Sequence, residues 1–339
     1  MKKNRGTLIA VVVLLLVSVY FLFFKNTWST LGEKDNQFAV LDTASITKIT
    51  MEDRNKNAVM LTRVNAGQWK VDGRYFVRPD AINTLLYTMK MVTVKSLIDQ
   101  GIWDKVVKGL ASNSVKVDIY KGDDKIKSYF VGSQTNDHMG TYMLLVKPHT
   151  DENYKQPYVT YIPGFDGFLT TRYFVMEEGW RDRTVFHYYP NEIKSISINY
   201  PDPEHSFIIT TVAKNKFTIE NPVTHQSLVR FDTTAVKQYM TYFQSINWEV
   251  VVKPEKRDSI IASPPICVME VKDTAGKTTN IRLYNRKAPD NVENKYAGKD
   301  YKYDPDRLYA LVNGKDFVLI QYFVFGKLLQ DPSYFVHKD

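Results

Sequence analysis

From residue 46 onward the chain runs through one succession of residue patterns and then runs through it again. That order confines it to folds that two halves of about 145 residues, an ordinary domain size, can each complete. Ile46, Ile49 and Met51 are answered by Ile193, Ile196 and Ile198, 147 residues later. Each set reads as a first strand followed by a polar turn, Glu52-Asp53-Arg54-Asn55 in one half and Asp202-Pro203-Glu204 in the other. Second strands follow at Ala58 to Thr62 and Phe207 to Thr211, and short third strands at Gln68 to Val71 and Lys216 to Ile219.

The next pair of segments is helical. Ile82, Leu85, Leu86 and Met89 follow Arg78-Pro79-Asp80, and Val236, Tyr239, Met240 and Phe243 follow Asp232-Thr233-Thr234. Both sets fall at i, i+3, i+4, i+7, the spacing of one buried helical face. Pro79 suits a first helical turn, and Asp232 or Thr233 can accept the free backbone N–H groups there. Extended segments come next, Thr93 to Ile98 and Trp248 to Val252. Hairpins then alternate Val115, Val117, Ile119 before Gly122-Asp123-Asp124, and Cys267, Met269, Val271 before Asp273 to Gly276. The halves close similarly, on Trp180 to Phe186 and on Leu329 to Phe335, 149 residues apart. The apolar stretch Phe317 to Phe325 reads as a buried helix. Helices among hairpin-linked strands predict an α+β class, with two tandem, similar antiparallel-sheet-plus-helix units at 46–190 and 191–339.

Before these units, residues 8–24 read LIAVVVLLLVSVYFLFF, with Ser18 the one polar side chain. With Gly6 and Thr7 a helix there is about 28 Å long, close to the hydrocarbon thickness of a bilayer. A secretory signal shares the basic start, but Tyr20 to Lys25 lacks the small residues that cleavage needs. The expectation is an uncleaved transmembrane signal anchor, in contact with the lipid bilayer through residues 7–24. Lys2, Lys3 and Arg5 precede the span and Lys25 alone follows it directly, which keeps the N-terminus in the cytoplasm. Residues 1–25 thus form a cytoplasmic basic tip and anchor, 26–45 a polar linker, and the two units lie outside a bacterial inner membrane, in the cell envelope. The basic tip and Lys25 carry half of the net charge of +8. The remainder is spread over the other residues, which argues against a nucleic-acid partner.

The basic start and single span, the Ile-x-x-Ile strand, Trp69-Lys70-Val71 leading to the Pro79-Asp80 helix, and the Trp180-Arg181-Asp182-Arg183 end resemble one bacterial family. Its members are membrane-anchored proteins classed only as a domain of unknown function. The resemblance implies an association with auxiliary components of ABC transporters, including the gliding-motility type, and hence a membrane-protein partner from a transport complex. It implies no catalytic residues.

The search for chemistry is otherwise sparse. A single cysteine, Cys267, excludes internal disulfides and multi-cysteine metal clusters, and its alternation with Met269 places it on a buried strand face. Ala275-Gly276-Lys277-Thr278-Thr279 ends like a phosphate-binding loop, yet the required first glycine is Val271 and the segment reads as a hairpin turn. His138, His149, His187, His205, His225 and His337 form no i, i+3 or i, i+4 pair, so only a site assembled from distant loops could bind zinc. Asp137-His138 lies in the polar turn Ser133 to Gly140, without a nucleophile elbow elsewhere. Glu177-Glu178 and the loop from Asp290 to Asp306 carry carboxylates without the spacing of a calcium loop. Lys295, Lys299, Lys302 and Arg307 offset the loop's charge. No catalytic, cofactor-binding or metal site is expected, and no cofactor.

Tyrosine, at 22 residues, is the notable contact-forming type. Tyr296, Tyr301 and Tyr303, and Tyr154, Tyr158 and Tyr161 in what reads as the matching region of the first half, are interleaved with lysines. They are the candidate partner-contact residues, since Tyr offers large contact area at low entropic cost. The expected function is a non-catalytic, membrane-tethered interaction module, an accessory subunit of an ABC-type transport or envelope complex. The alternatives are a module binding cell-envelope glycan and an enzyme whose site is scattered in sequence.

Overall fold

The computed structural model describes residues 36–253, 255, 257–288 and 302–336. The expected anchor, Tyr296, Tyr301 and His337 lie outside the described residues. Among those described, no helix is long and apolar enough to cross a membrane. The chain divides into two compact units between Arg181 and Asp182.

In the first unit, alternating strand segments and short polar turns build β1 (Lys48–Asp53), β2 (Ala58–Asn65), β3 (Gln68–Val71) and β4 (Tyr75–Phe76). After the helix Pro79–Met91 come β5 (Thr93–Leu97), a second helix Trp103–Ser112, β6 (Val115–Lys121), β7 (Asp124–Gln134), β8 (Thr141–Val146) and β9 (Tyr158–Tyr161). They form one antiparallel sheet ordered β4-β3-β2-β1-β6-β7-β8-β9-β5. Ile49, Met51, Leu61, Val117 and Ile119 are buried together on one face. The first helix buries Ala81, Ile82, Leu85, Thr88 and Met89 in the same unit. Leu86, expected in this stripe, is half-buried. The helical face centres on Leu85, and at about 100° per residue its neighbour falls at the margin. The second helix, absent from the sequence reading, packs Val106 and Leu110 with Ile98, Tyr142 and Val159 in a separate small cluster. Gly132 permits that approach, because a Cβ there would lie 2.7 Å from Leu110 Cδ2 and 3.0 Å from the Tyr142 carbonyl oxygen.

The second unit contains β10 (Thr184–Phe186), β11 (Ile193–Asn199), β12 (Phe207–Ala213), β13 (Lys216–Glu220), the helix Thr233–Thr241, β14 (Ile246–Asn247) and β15 (Val250–Val251). A short helix Arg257–Ile261 leads to β16 (Cys267–Asp273), β17 (Thr278–Lys287), β18 (Tyr303–Val312) and β19 (Asp316–Gln321). The sheet order is β13-β12-β11-β16-β17-β18-β19-β15, with β10 paired separately to β14. With β4 set aside, the two sheets take their strands in the same order. Val236, Tyr239, Met240 and Phe243 are all buried, as the spacing predicts. The Tyr239 hydroxyl donates to the Leu328 carbonyl at 2.7 Å, which satisfies a phenol enclosed by Phe207, Phe243 and Phe335.

Two backbone hydrogen bonds recur at corresponding places. Val40 N donates to Met89 O at 2.8 Å and Tyr188 N to Phe243 O at 3.0 Å. Arg78 N donates to Trp180 O at 2.8 Å and Asp232 N to Phe335 O at 2.7 Å. Each first helix is therefore tied at its start to the closing segment of its own unit.

Three expectations are corrected. The border lies at 181/182, ahead of the expected 190/191, because β10 pairs with β14 and Phe186 meets Phe243 at 5.2 Å. The segment 26–45 is not wholly a linker, since Phe38 and Val40 belong to the first core. Phe317 to Phe325 is not one helix. Its first part is β19, bonded to β18 and β15, and only Tyr322–Phe325 is helical. Both faces of β19 are covered, Phe317 by Tyr284 and Leu311 and Val318 and Ile320 by the main core. Burial on both sides removes the alternation that marks a half-exposed strand.

Candidate functional site

The described tyrosines singled out by the sequence, Tyr154, Tyr158, Tyr161 and Tyr303, differ in exposure. Tyr158 is 8% exposed, an interior residue whose ring meets Phe38 edge-on at 6.2 Å, so it is withdrawn from the contact set. Tyr154 is half-buried against the same core, and Tyr161 is half-buried at the end of β9. Tyr303 is exposed at the start of β18, with Lys302 Nζ 5.2 Å from its ring centre. By strand order, the counterpart of the β17–β18 connection is the β7–β8 connection, around Thr135 to Gly140. The Tyr154 to Tyr161 segment instead leads into β9, the counterpart of β19, so the two tyrosine groups are not equivalent loops.

The first unit has a cleft of about 250 Å³ where the second helix meets the sheet, lined by Arg54, Val107, Leu110, Phe130, Tyr154 and Lys155 among others. The Arg54 guanidinium lies 4.5 Å from the Phe130 ring centre, and its Nη2 donates to the Leu110 carbonyl at 3.0 Å. A guanidinium held on an aromatic face and an exposed ammonium beside a tyrosine can engage planar or anionic polar groups. Sequence reasoning named Tyr154 and missed Arg54, which sits in the β1–β2 turn and reaches the cleft only through the fold.

The second unit has a more open cleft of about 480 Å³, lined by Tyr200, Asp202, His205, Ile266, Cys267 and Asp331 among others. Its residue types look reactive, but the geometry is structural. Cys267 is 1% exposed, and burial pushes its thiol up to about 12. A thiol so protonated is not a nucleophile at neutral pH. It alternates with buried Met269 and Val271 on β16, as half-buried Val115 alternates with buried Val117 and Ile119 on β6. The Tyr200 hydroxyl donates to the Gln330 carbonyl at 2.8 Å, and burial raises its pKa. Asp331 is held below the ordinary carboxylate range chiefly by Ser333, whose backbone N–H it accepts at 2.8 Å. His205 Nε2 stands 3.8 Å from Asp202 Oδ2, both well exposed.

The remaining candidates are turn residues. Lys277 lies in the hairpin between β16 and β17, its backbone N–H bonded to Asp273 Oδ1 at 2.8 Å and Gly276 in the left-handed region at φ +88°. Asp137 accepts from the Thr135 hydroxyl and from Met139 N at 3.0 Å, and these bonds, the Thr135 hydroxyl foremost, lower its pKa. His138 beside it is exposed. Asp304, one of the loop carboxylates, is 6% exposed. It is bound by Arg286 Nη1 at 2.6 Å and by the backbone of Asp306 and Arg307 at 2.9 and 3.1 Å. Glu177 pairs with Arg74. Among the described residues, no group of three or more His, Cys, Asp or Glu is placed to hold a metal ion.

No protein-family model, no curated protein and no solved structure matches the chain. Its class is therefore defined by its own geometry: two α+β units, each with a mostly antiparallel sheet and each with a cleft of a few hundred Å³.

Proposed function

We propose that this chain is a membrane-tethered, extracytoplasmic interaction module, an accessory subunit of a bacterial ABC-type transport or envelope complex, built by duplication of one α+β unit. The shared strand order and the recurring hydrogen bonds at the helix starts support the duplication. The apolar run Leu8 to Phe24 with its flanking charges supports the tether. The transporter association enters through the resemblance of the span, the Trp69-Lys70-Val71 strand and the Trp180 to Arg183 end to the membrane-anchored family.

The observation that carries the non-catalytic reading is what corresponding positions hold in common. They are packing positions: Met269 and Val271 stand opposite β11 as Val117 and Ile119 stand opposite β1, and Cys267, the one thiol, alternates with the former pair as Val115 does with the latter. A repeated framework with differing surfaces suits a protein that presents faces to partners. A second reading, binding of envelope glycan, is favoured by the cleft of Arg54, Phe130, Tyr154 and Lys155, where aromatic and basic groups converge.

The test is isolation of the full chain from its own membranes in mild detergent, as wild type and as His138→Ala, Lys277→Ala and Cys267→Ala. Partner recovery and cellular function should persist in all three. Complete loss of function in His138→Ala with unchanged stability and partner recovery would overturn the non-catalytic reading. Tyr154→Ser with Lys155→Ser separates the alternatives, because loss of glycan retention with partners intact favours the glycan reading.

A further inference from the structure

The first unit carries an exposed apolar group where the chain comes in from the expected anchor. The hydrogen bond from Val40 N to Met89 O joins the incoming chain to the last turn of the helix Pro79–Met91. Leu41 is one residue beyond that bond and is 77% exposed. On the helix side, Lys90 and Met91 follow directly, and Tyr87 lies one turn earlier on the same exposed side at i, i+3, i+4 spacing. Tyr87 is 51% and Met91 36% exposed. The neighbouring acid, Asp42, accepts the Ser45 backbone N–H at 3.3 Å.

The second unit makes the corresponding backbone bond without these side chains. There the matching bond is Tyr188 N to Phe243 O, and the positions corresponding to Leu41, Tyr87, Lys90 and Met91 hold Tyr189, Thr241, Gln244 and Ser245. An aromatic, Tyr189, stands in place of Leu41, while the other three positions are polar, and of these only Thr241 is helical. The matching backbone bond thus forms without an exposed aliphatic group, beyond a helix that ends at Thr241. What distinguishes the first unit is the segment that precedes it.

We propose that Leu41, Tyr87, Lys90 and Met91 form a surface that rests on the anionic headgroup layer of the bilayer in which the chain is anchored. The proposal rests on the reading of Leu8 to Phe24 as the anchor. Residues 25–35 separate that run from the first described residue, and eleven residues span at most about 40 Å. A unit tethered that closely meets the membrane surface at a high effective concentration, so a small patch suffices. Leucine and methionine can enter the acyl boundary, while the Tyr87 hydroxyl and the Lys90 ammonium remain among the headgroups.

The full chain is reconstituted in nanodiscs of phosphatidylethanolamine and phosphatidylglycerol. It carries one spin label at a time in a Cys267→Val background whose thermal unfolding matches wild type. Label sites are Leu41→Cys, Met91→Cys, Ser18→Cys as anchor control and Val229→Cys, 88% exposed in the second unit, as water control. At 41 and 91, collisions with oxygen should exceed those with a water-soluble nickel chelate, the reverse of the order at 229. Lys90→Glu with Tyr87→Ser should restore the order seen at 229. Water-like labels at 41 and 91 with a lipid-like label at 18 overturn this proposal and leave the anchor standing. A water-like label at 18 overturns the anchor, and with it the proposal. Shielding of 41 and 91 from both reagents shows a protein or a second copy on the patch and overturns contact with lipid.

Discussion

Cys267 illustrates how one residue type is given its role by position. In the sequence it is the lone thiol, and in the fold it is a small apolar group on the buried face of β16. Its pKa, raised by burial from 9.0 to about 12, couples to stability with a definite sign. The unfolded chain loses the thiol proton above pH 9 while the folded chain keeps it, so this contribution is whole below pH 9 and declines as pH rises toward 12. The folded protein should therefore resist thiol-specific labelling until denatured, and Cys267→Val should make the alkaline loss of stability shallower. Rapid stoichiometric labelling of the folded chain would refute the packed position. Burial also ranks the helix residues. Leu85→Ala and Met240→Ala should each cost about 2 to 5 kcal/mol in urea unfolding, whereas half-buried Leu86→Ala should cost clearly less. An equal loss at Leu86 would refute the orientation of the first helix.

At the scale of elements, the two helix starts reach the same end by different means. Asp232 accepts the Thr234 backbone N–H at 2.7 Å, while the Pro79 helix has no side-chain cap. Asp232→Ala should lower stability by about 1 kcal/mol, measured by denaturant midpoint. A neutral result would place the hold on that helix in the bond from Asp232 N to Phe335 O. Elements with one covered face were legible in the sequence. Ile49 and Met51, the Val236 to Phe243 stripe and the hairpin turns all follow period 2 or period 3.6. Where both faces are covered the period vanishes, and the sequence of β19 reads as a helix. The helix Trp103–Ser112 had a readable stripe in Trp103, Val106, Val107 and Leu110, although Gly109 weakens it. The contact surface was less legible, because composition gives tyrosines without direction. Tyr158 and Val159 are adjacent in β9 and both buried, so alternation could not tell which ring points outward. Arg54 and Lys155 are a hundred residues apart and meet only at the cleft.

For the whole molecule, the described residues form two units whose sheets share a strand order, and the chain before them contains one run that can span a bilayer. In the proposed function both units stand outside the cytoplasm on that single span. The direct measurement is a pair of reporter fusions after Asp339 in living cells, one active only outside the cytoplasm and one fluorescent only inside it. The account predicts an active external reporter and a dark internal one, with activity in the membrane fraction for the full chain and in the soluble fraction once residues 1–25 are deleted and an unrelated cleaved signal is supplied. A fluorescent cytoplasmic fusion, or full-length chain in the soluble fraction, would contradict it.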